Sequence, residues 1–181
     1  MPSNSLSIYS SVLSIPSSLF FVRTISVIPH PAKISLIFPT AATVKPLSFI
    51  ISNIVFFGGC NLKCVFCQNH TIALGNCGKQ ITISRLADIF LELQAKGAAN
   101  INLVTPTHYI PQIREALLLS KEQGLRLPIV YNTGSYESPK ALQLLEGLVD
   151  IYLPDLKYYS AELSAKYSHA TDYFEKASLA I

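Results

Sequence analysis

Gly59-Cys60-Asn61-Leu62-Lys63-Cys64-Val65-Phe66-Cys67-Gln68-Asn69 puts three of the chain's four cysteines within eight residues. Spaced C-x-x-x-C-x-x-C on one tight loop, three thiolates hold three irons of a 4Fe-4S cube and leave the fourth iron without a protein ligand. An iron with an open position is a place for chemistry. Zinc is the competing reading: Cys77, ten residues past Cys67, completes a set of four thiolates of the kind structural zinc prefers. A closed zinc site usually pairs two short knuckles, whereas Cys77 stands alone in Gly75-Asn76-Cys77-Gly78. Disulfides fit worse, because no secretory context is evident and cysteines three or four apart make poor staples.

Outward from the cysteines, the pattern alternates. Ile50 to Phe57 is an apolar run of strand length, interrupted by Ser52 and Asn53, that feeds directly into the glycine and cysteine loop. A helix is expected from Ser84 as N-cap, with Leu86, Ile89, Phe90 and Leu93 on one face and Gly97 as its stop. Ile101 to Thr105 reads as a strand, Pro111 to Gln123 as a helix stopped by Gly124, and Leu127 to Tyr131 as the third strand. Ser138-Pro139 opens a helix carrying Leu142 and Leu145, Val149 to Leu153 is the fourth strand, and Ser160 opens a last helix running toward Ile181. Alternating strands and helices with short connections give an α/β fold, a parallel sheet with helices outside it. In such sheets reactive groups gather at the carboxyl ends of the strands. The cysteine loop, Thr105 to His108, Asn132-Thr133, and Asp155 with Lys157 all fall at such ends.

The cysteine segment resembles the radical S-adenosylmethionine enzymes, whose signature is this spacing with an aromatic residue before the last cysteine, here Phe66. Phe56-Phe57-Gly58-Gly59-Cys60-Asn61-Leu62-Lys63-Cys64, the Cys67-Gln68-Asn69 exit, Asn102 to His108, Tyr131-Asn132-Thr133 and Asp150 to Lys157 look like an uncharacterised branch related to pyruvate formate-lyase-activating enzymes. The resemblance runs from about residue 50 to the C-terminus. It implies a partial (β/α) barrel with about four of six βα units present. It also implies that Cys60, Cys64 and Cys67 ligate a 4Fe-4S cluster whose open iron is chelated by S-adenosylmethionine. Reductive cleavage then yields a 5′-deoxyadenosyl radical for hydrogen abstraction, with activation of a glycyl-radical enzyme as one outcome. That outcome implies a partner protein as substrate and a flavodoxin- or ferredoxin-like electron donor, in the cytoplasm. The alternative is a non-catalytic metal-binding fragment, holding zinc or an inactive iron-sulfur centre.

The resemblance also assigns cofactor contacts. Phe66 packs near the adenine, and Asp155 with Lys157, alternating along an extended segment and so pointing the same way, touches the cofactor; a surface ion pair is the plainer reading. Asn132 and Thr133 meet the ribose hydroxyls or cap the turn before Gly134. The expected order after them is serine then glycine, and this chain has Gly134-Ser135. Asn69 holds the loop after the cluster or merely forms a turn. Where the family carries a Gly-Gly-Glu-like segment that binds the methionyl amino group, this chain has Val104-Thr105-Pro106-Thr107-His108, so Thr105 and Thr107 offer hydroxyls in its place. His108 is a proton carrier, a substrate contact or a local hydrogen-bonding residue, and His70 has the same standing.

Composition bounds the rest. At 181 residues and 50% apolar content one domain with a real core is expected. The net charge of +3 hides an asymmetry: no acid precedes Asp88, while residues 88–181 hold eleven acids against eight bases. No basic helical stripe indicates nucleic acid. Residues 1–46 carry six of the eleven prolines, many serines and no acid. Their apolar bursts fall short of the ~18 residues of a membrane span, and no basic region precedes them as in a secretory signal. They read as a poorly ordered or misassigned start, and residues 47–181 as a core incomplete at its C-terminus.

Overall fold

Four short runs rich in β-branched and aliphatic residues form the central strands, and a helix or helical turn follows each one. The computed structural model describes residues 6–9, 54–75 and 78–181, all within one unit of the chain. The strands are β1 (Leu6–Tyr9), β2 (Ile54–Phe57), β3 (Lys79–Ile81), β4 (Ile101–Val104), β5 (Ile129–Thr133) and β6 (Ile151–Pro154). The helices are α1 (His70–Ala73), α2 (Ile83–Ala95), α3 (Ile110–Glu122), α4 (Pro139–Leu142), α5 (Ala161–Ser168) and α6 (Tyr173–Ala180). The sheet order is β3-β1-β2-β4-β5-β6. β2, β4, β5 and β6 are parallel, and β1 lies antiparallel to both β2 and β3. The parallel set is the expected partial β/α barrel. Leu6–Tyr9 lies inside the stretch read as a poorly ordered start; residues 10–53, with the expected boundary at residue 46, lie outside the described residues.

Register fixes which side chains share a face. Val55 pairs with Leu103 and Leu103 with Tyr131, while Ile101 pairs with Ile129, so period-two alternation lines these residues up on one side. That side is buried against Leu86 and Phe90 of α2 and Ile113 and Leu117 of α3. Each such large side chain contributes about 1.5–3 kcal/mol by leaving water. The other side carries Ile54, Phe56, Asn102, Val104 and Asn132, all only partly buried, and is the more open face of the sheet.

Several element ends differ from the sequence reading. Helix α2 is capped by Thr82, whose hydroxyl accepts from Arg85 N–H at 3.1 Å, rather than by Ser84, which lies inside it. The strand expected at Leu127 to Tyr131 is shifted to Ile129–Thr133, because Pro128 cannot donate to a ladder; Asn132 and Thr133 end that strand, and the Thr133 hydroxyl caps the turn that follows by accepting from Ser135 N–H at 3.1 Å. The strand expected from Val149 begins at Ile151, with Asp150 turned to accept from Ile129 N–H at 2.8 Å. The helix expected from Ser138 is a single turn that tightens into a 3-10 turn at Gln143–Leu145. The last expected helix is two, since His169 adopts a left-handed backbone (φ 56°) that ends α5. Ser160 does cap α5, accepting from Leu163 N–H.

Candidate functional site

The cysteine loop leaves β2 through Gly58-Gly59, and the backbone there is set by a close packing requirement. Gly59 has φ +93°, and a Cβ on it would lie 3.1 Å from His108 Nε2. That same Nε2 lies 2.7 Å from the Gly58 carbonyl, to which it donates. His108 thus acts as a local hydrogen-bonding residue that holds the loop entry. After the cysteines, α1 turns back so that Ile72 C=O accepts from Gly59 N–H at 2.8 Å, closing the loop on itself. Asn69 precedes α1 without a side-chain cap bond; its carbonyl accepts from Ala73 N–H at 2.8 Å.

Within the loop Cys60, Cys64 and Cys67 are partly exposed, and none is in a disulfide. Leu62 N–H donates to Cys60 Sγ at 3.4 Å and Ser168 Oγ–H to Cys64 Sγ at 2.9 Å. Burial pushes the Cys60 thiol above its ordinary range, and Cys64 and Cys67 add to this; the Leu62 N–H and the Lys157 ammonium pull the other way. Among the described residues, no three His, Cys, Asp or Glu side chains gather around a single point. Cys77 lies outside the described residues.

Three other strand ends converge on the loop. Asn61 Nδ2 donates to the Tyr136 carbonyl. A Cβ on Gly134 would lie 3.2 Å from Leu62 Cδ1 and 3.4 Å from Lys157 Cε, so the missing side chain lets the β5 end, the β6 end and the cysteine loop touch. Lys157 Nζ pairs with Asp155 Oδ2 at 2.6 Å, confirming that the two point the same way. Tyr173 of α6 ties the two strand ends, its hydroxyl accepting from Lys157 N–H at 2.9 Å and lying 2.8 Å from Gly134 O and 2.7 Å from Asp155 O. Phe66 is 56% exposed and tilts against Tyr158 with ring centroids 6.3 Å apart.

The remaining candidates divide by face. Asn132 lies on the open face and Thr133 on the helix-covered one, as strand alternation requires. Thr133, Thr107 and Tyr131 all donate their hydroxyls to one oxygen of Glu137, Oε1, the last two at 2.7 and 3.1 Å. Burial and the neighbouring carboxylate push the Tyr131 phenol upward. Glu137 is 4% exposed, and its other oxygen has no protein partner. It joins the β4 and β5 ends, and no sequence motif marks it. Thr105 takes a left-handed backbone (φ 58°) and donates its N–H to Asn132 O at 3.1 Å. On the open face Asn102 Oδ1, one residue into β4, is buried without a protein partner.

Residues 54–178 match the Radical SAM superfamily. The chain belongs to that superfamily. A curated relative, an uncharacterised protein of Methanocaldococcus jannaschii, is 32% identical over 133 residues, which is 68% of this chain and 38% of the relative. The chain thus spans about two fifths of the length of that relative. Superfamily members use a 4Fe-4S cluster and S-adenosylmethionine, and the superfamily is one of enzymes that cleave S-adenosylmethionine to a radical. The residues present fit such a cluster: three thiols outside any disulfide, two of them already accepting hydrogen bonds, on a loop pinned at both ends. Among the described residues no helix is long and apolar enough to cross a membrane.

Proposed function

We propose that Cys60, Cys64 and Cys67 ligate a 4Fe-4S cluster that reductively cleaves S-adenosylmethionine and that the resulting radical abstracts hydrogen from a protein substrate, making the protein an oxidoreductase. The observation that carries this reading is the convergence of the β4, β5 and β6 ends on the cysteine loop, through His108, Gly134 and Lys157. When bound, the cluster supplies one electron that breaks the sulfonium C5′–S bond, leaving methionine and a 5′-deoxyadenosyl radical that becomes 5′-deoxyadenosine on taking a hydrogen atom. The chain's own residues hold and orient. Asn132, with Asn102 deeper on the same open face, offers amide groups to ribose hydroxyls or to the methionyl amino group. Lys157 presents an ammonium beside Cys60, suited to a carboxylate. Phe66, at the rim, presents an aromatic surface to adenine. Asn69 and Thr105 fix backbone turns, whereas Thr107 and Thr133 act through Glu137 rather than on a ligand.

The resemblance to pyruvate formate-lyase-activating enzymes makes the partner a glycyl-radical enzyme whose glycine Cα–H is the hydrogen source, with a flavodoxin- or ferredoxin-like donor, in the cytoplasm. The exposed rim, with Val65 66% and Phe66 56% exposed, supports approach by a macromolecule. Anaerobic incubation with dithionite and S-adenosylmethionine tests the chemistry. The reading expects 5′-deoxyadenosine from the wild-type chain and background amounts from Cys64→Ser. Equal yields from both would refute it.

A further inference from the structure

Helix α5 ends where His169 turns left-handed. That stop frees the last carbonyls for other donors. Ser168 O accepts from Lys63 N–H at 3.2 Å and Tyr167 O from Val65 N–H at 2.9 Å, so the helix end is laced to both neighbours of Cys64. Ser168 itself is 1% exposed, and its hydroxyl donates to Cys64 Sγ at 2.9 Å. A serine hydroxyl has one proton. With that proton on sulfur, the 2.7 Å contact between Tyr158 Oη and Ser168 Oγ has Tyr158 as donor. Tyr158 is in turn fixed edge-on against Tyr173, ring centroids 5.5 Å apart. Two donors in series therefore end on one thiol, carried there by a helix 104 residues away in sequence.

The geometry points to Ser168 as a positioning residue that, acting through Cys64 and oriented by Tyr158, sets the reduction potential of the cluster; this rests on the reading of the cysteine loop given above. A hydrogen bond to a ligating sulfur draws off electron density and strengthens as the sulfur becomes more negative, so it favours the reduced cluster and raises its potential. Burial of Ser168 keeps water from taking over the bond. Cys60 has the longer Leu62 N–H contact at 3.4 Å, so Cys64 carries the stronger polarisation of the two. The couple is the uptake of one electron by the oxidised cluster, with dithionite as reductant and no bond broken.

A mediated redox titration of the anaerobically reconstituted full chain, followed by the EPR signal of the reduced cluster, tests this on wild type, Ser168→Ala, Ser168→Thr and Tyr158→Phe. Ser168→Ala is expected to shift the midpoint to more negative potential, lowering the ratio of reduced to oxidised cluster at fixed potential about tenfold, or about 59 mV for a one-electron couple. Ser168→Thr keeps the donor and should stay near wild type, and Tyr158→Phe should shift in the same direction by less. Equal midpoints for Ser168→Ala and wild type, at equal iron content, overturn the inference. If Ser168→Ala takes up no cluster, Tyr158→Phe decides: a negative shift supports the role and a wild-type midpoint overturns it. A wild-type chain with no 4Fe-4S signal overturns the cysteine-loop reading and this inference with it.

Discussion

At the scale of single residues, the Gly134-Ser135 pair shows how a turn's demands and a loop's packing fall on neighbouring positions. Position 135 is left-handed (φ 62°), and Ser135 meets that with a Cβ and a hydroxyl that is buried without a protein partner. A glycine there removes both costs. Ser135→Gly is therefore expected to raise stability by about 1 kcal/mol, measured by urea denaturation, and Gly134→Ser to lower it, since its Cβ would press on Leu62 and Lys157. The order expected from the family resemblance, serine then glycine, would suit the backbone at 135 but would set a Cβ at 134 against Leu62 and Lys157. Glu137 makes a second residue-scale case. Glu137→Ala strands three hydroxyls and is expected to cost more than about 2 kcal/mol, whereas Glu137→Gln keeps an acceptor and should cost clearly less in the same titration. The three cysteines were legible because their chemistry depends on local spacing. Glu137 was not, because its three partners come from two strand ends and nothing local marks them.

At the scale of elements, the alternation of strands and helices was legible from apolar periodicity, and the ends were not. Thr82 outcompetes Ser84 as a cap only because the chain leaves β3 in an extended conformation at Thr82 (ψ 163°), and the break at His169 serves contacts to Lys63 and Val65 that no helical pattern announces. The loop entry yields a prediction. Gly59→Ala places a side chain at φ +93° and 3.1 Å from His108, so it is expected to cost at least about 1 kcal/mol and to lower the iron taken up per chain on reconstitution, read by iron analysis. Helix α6 yields another. Tyr173→Phe leaves Lys157 N–H and a carbonyl without the hydroxyl, at an expected cost of about 1–3 kcal/mol. Burial raises the Tyr173 phenol from 10.0 to about 12. Since the folded value is raised, the neutral phenol's contribution is full below pH 10 and is lost as pH rises through about 12. The stability gap between wild type and Tyr173→Phe should therefore narrow across that window.

At the scale of the whole molecule, one sheet face is spent on the core with α2 and α3, and the other, half-open, leads to the strand ends where the cysteine loop sits. Residues 161–181 brace that arrangement: Tyr167 and Ser168 hold the loop backbone, and Tyr173 joins the β5 and β6 ends. On the function proposed, Cys60, Cys64 and Cys67 hold a cluster with one iron open to S-adenosylmethionine. EPR of the anaerobically reconstituted, dithionite-reduced chain, recorded before and after adding S-adenosylmethionine, tests it most directly. A reduced 4Fe-4S signal that changes on addition, and that is absent in Cys60→Ala, Cys64→Ala and Cys67→Ala, is the expected result. A signal indifferent to S-adenosylmethionine, or one that survives loss of any of these cysteines, would contradict it.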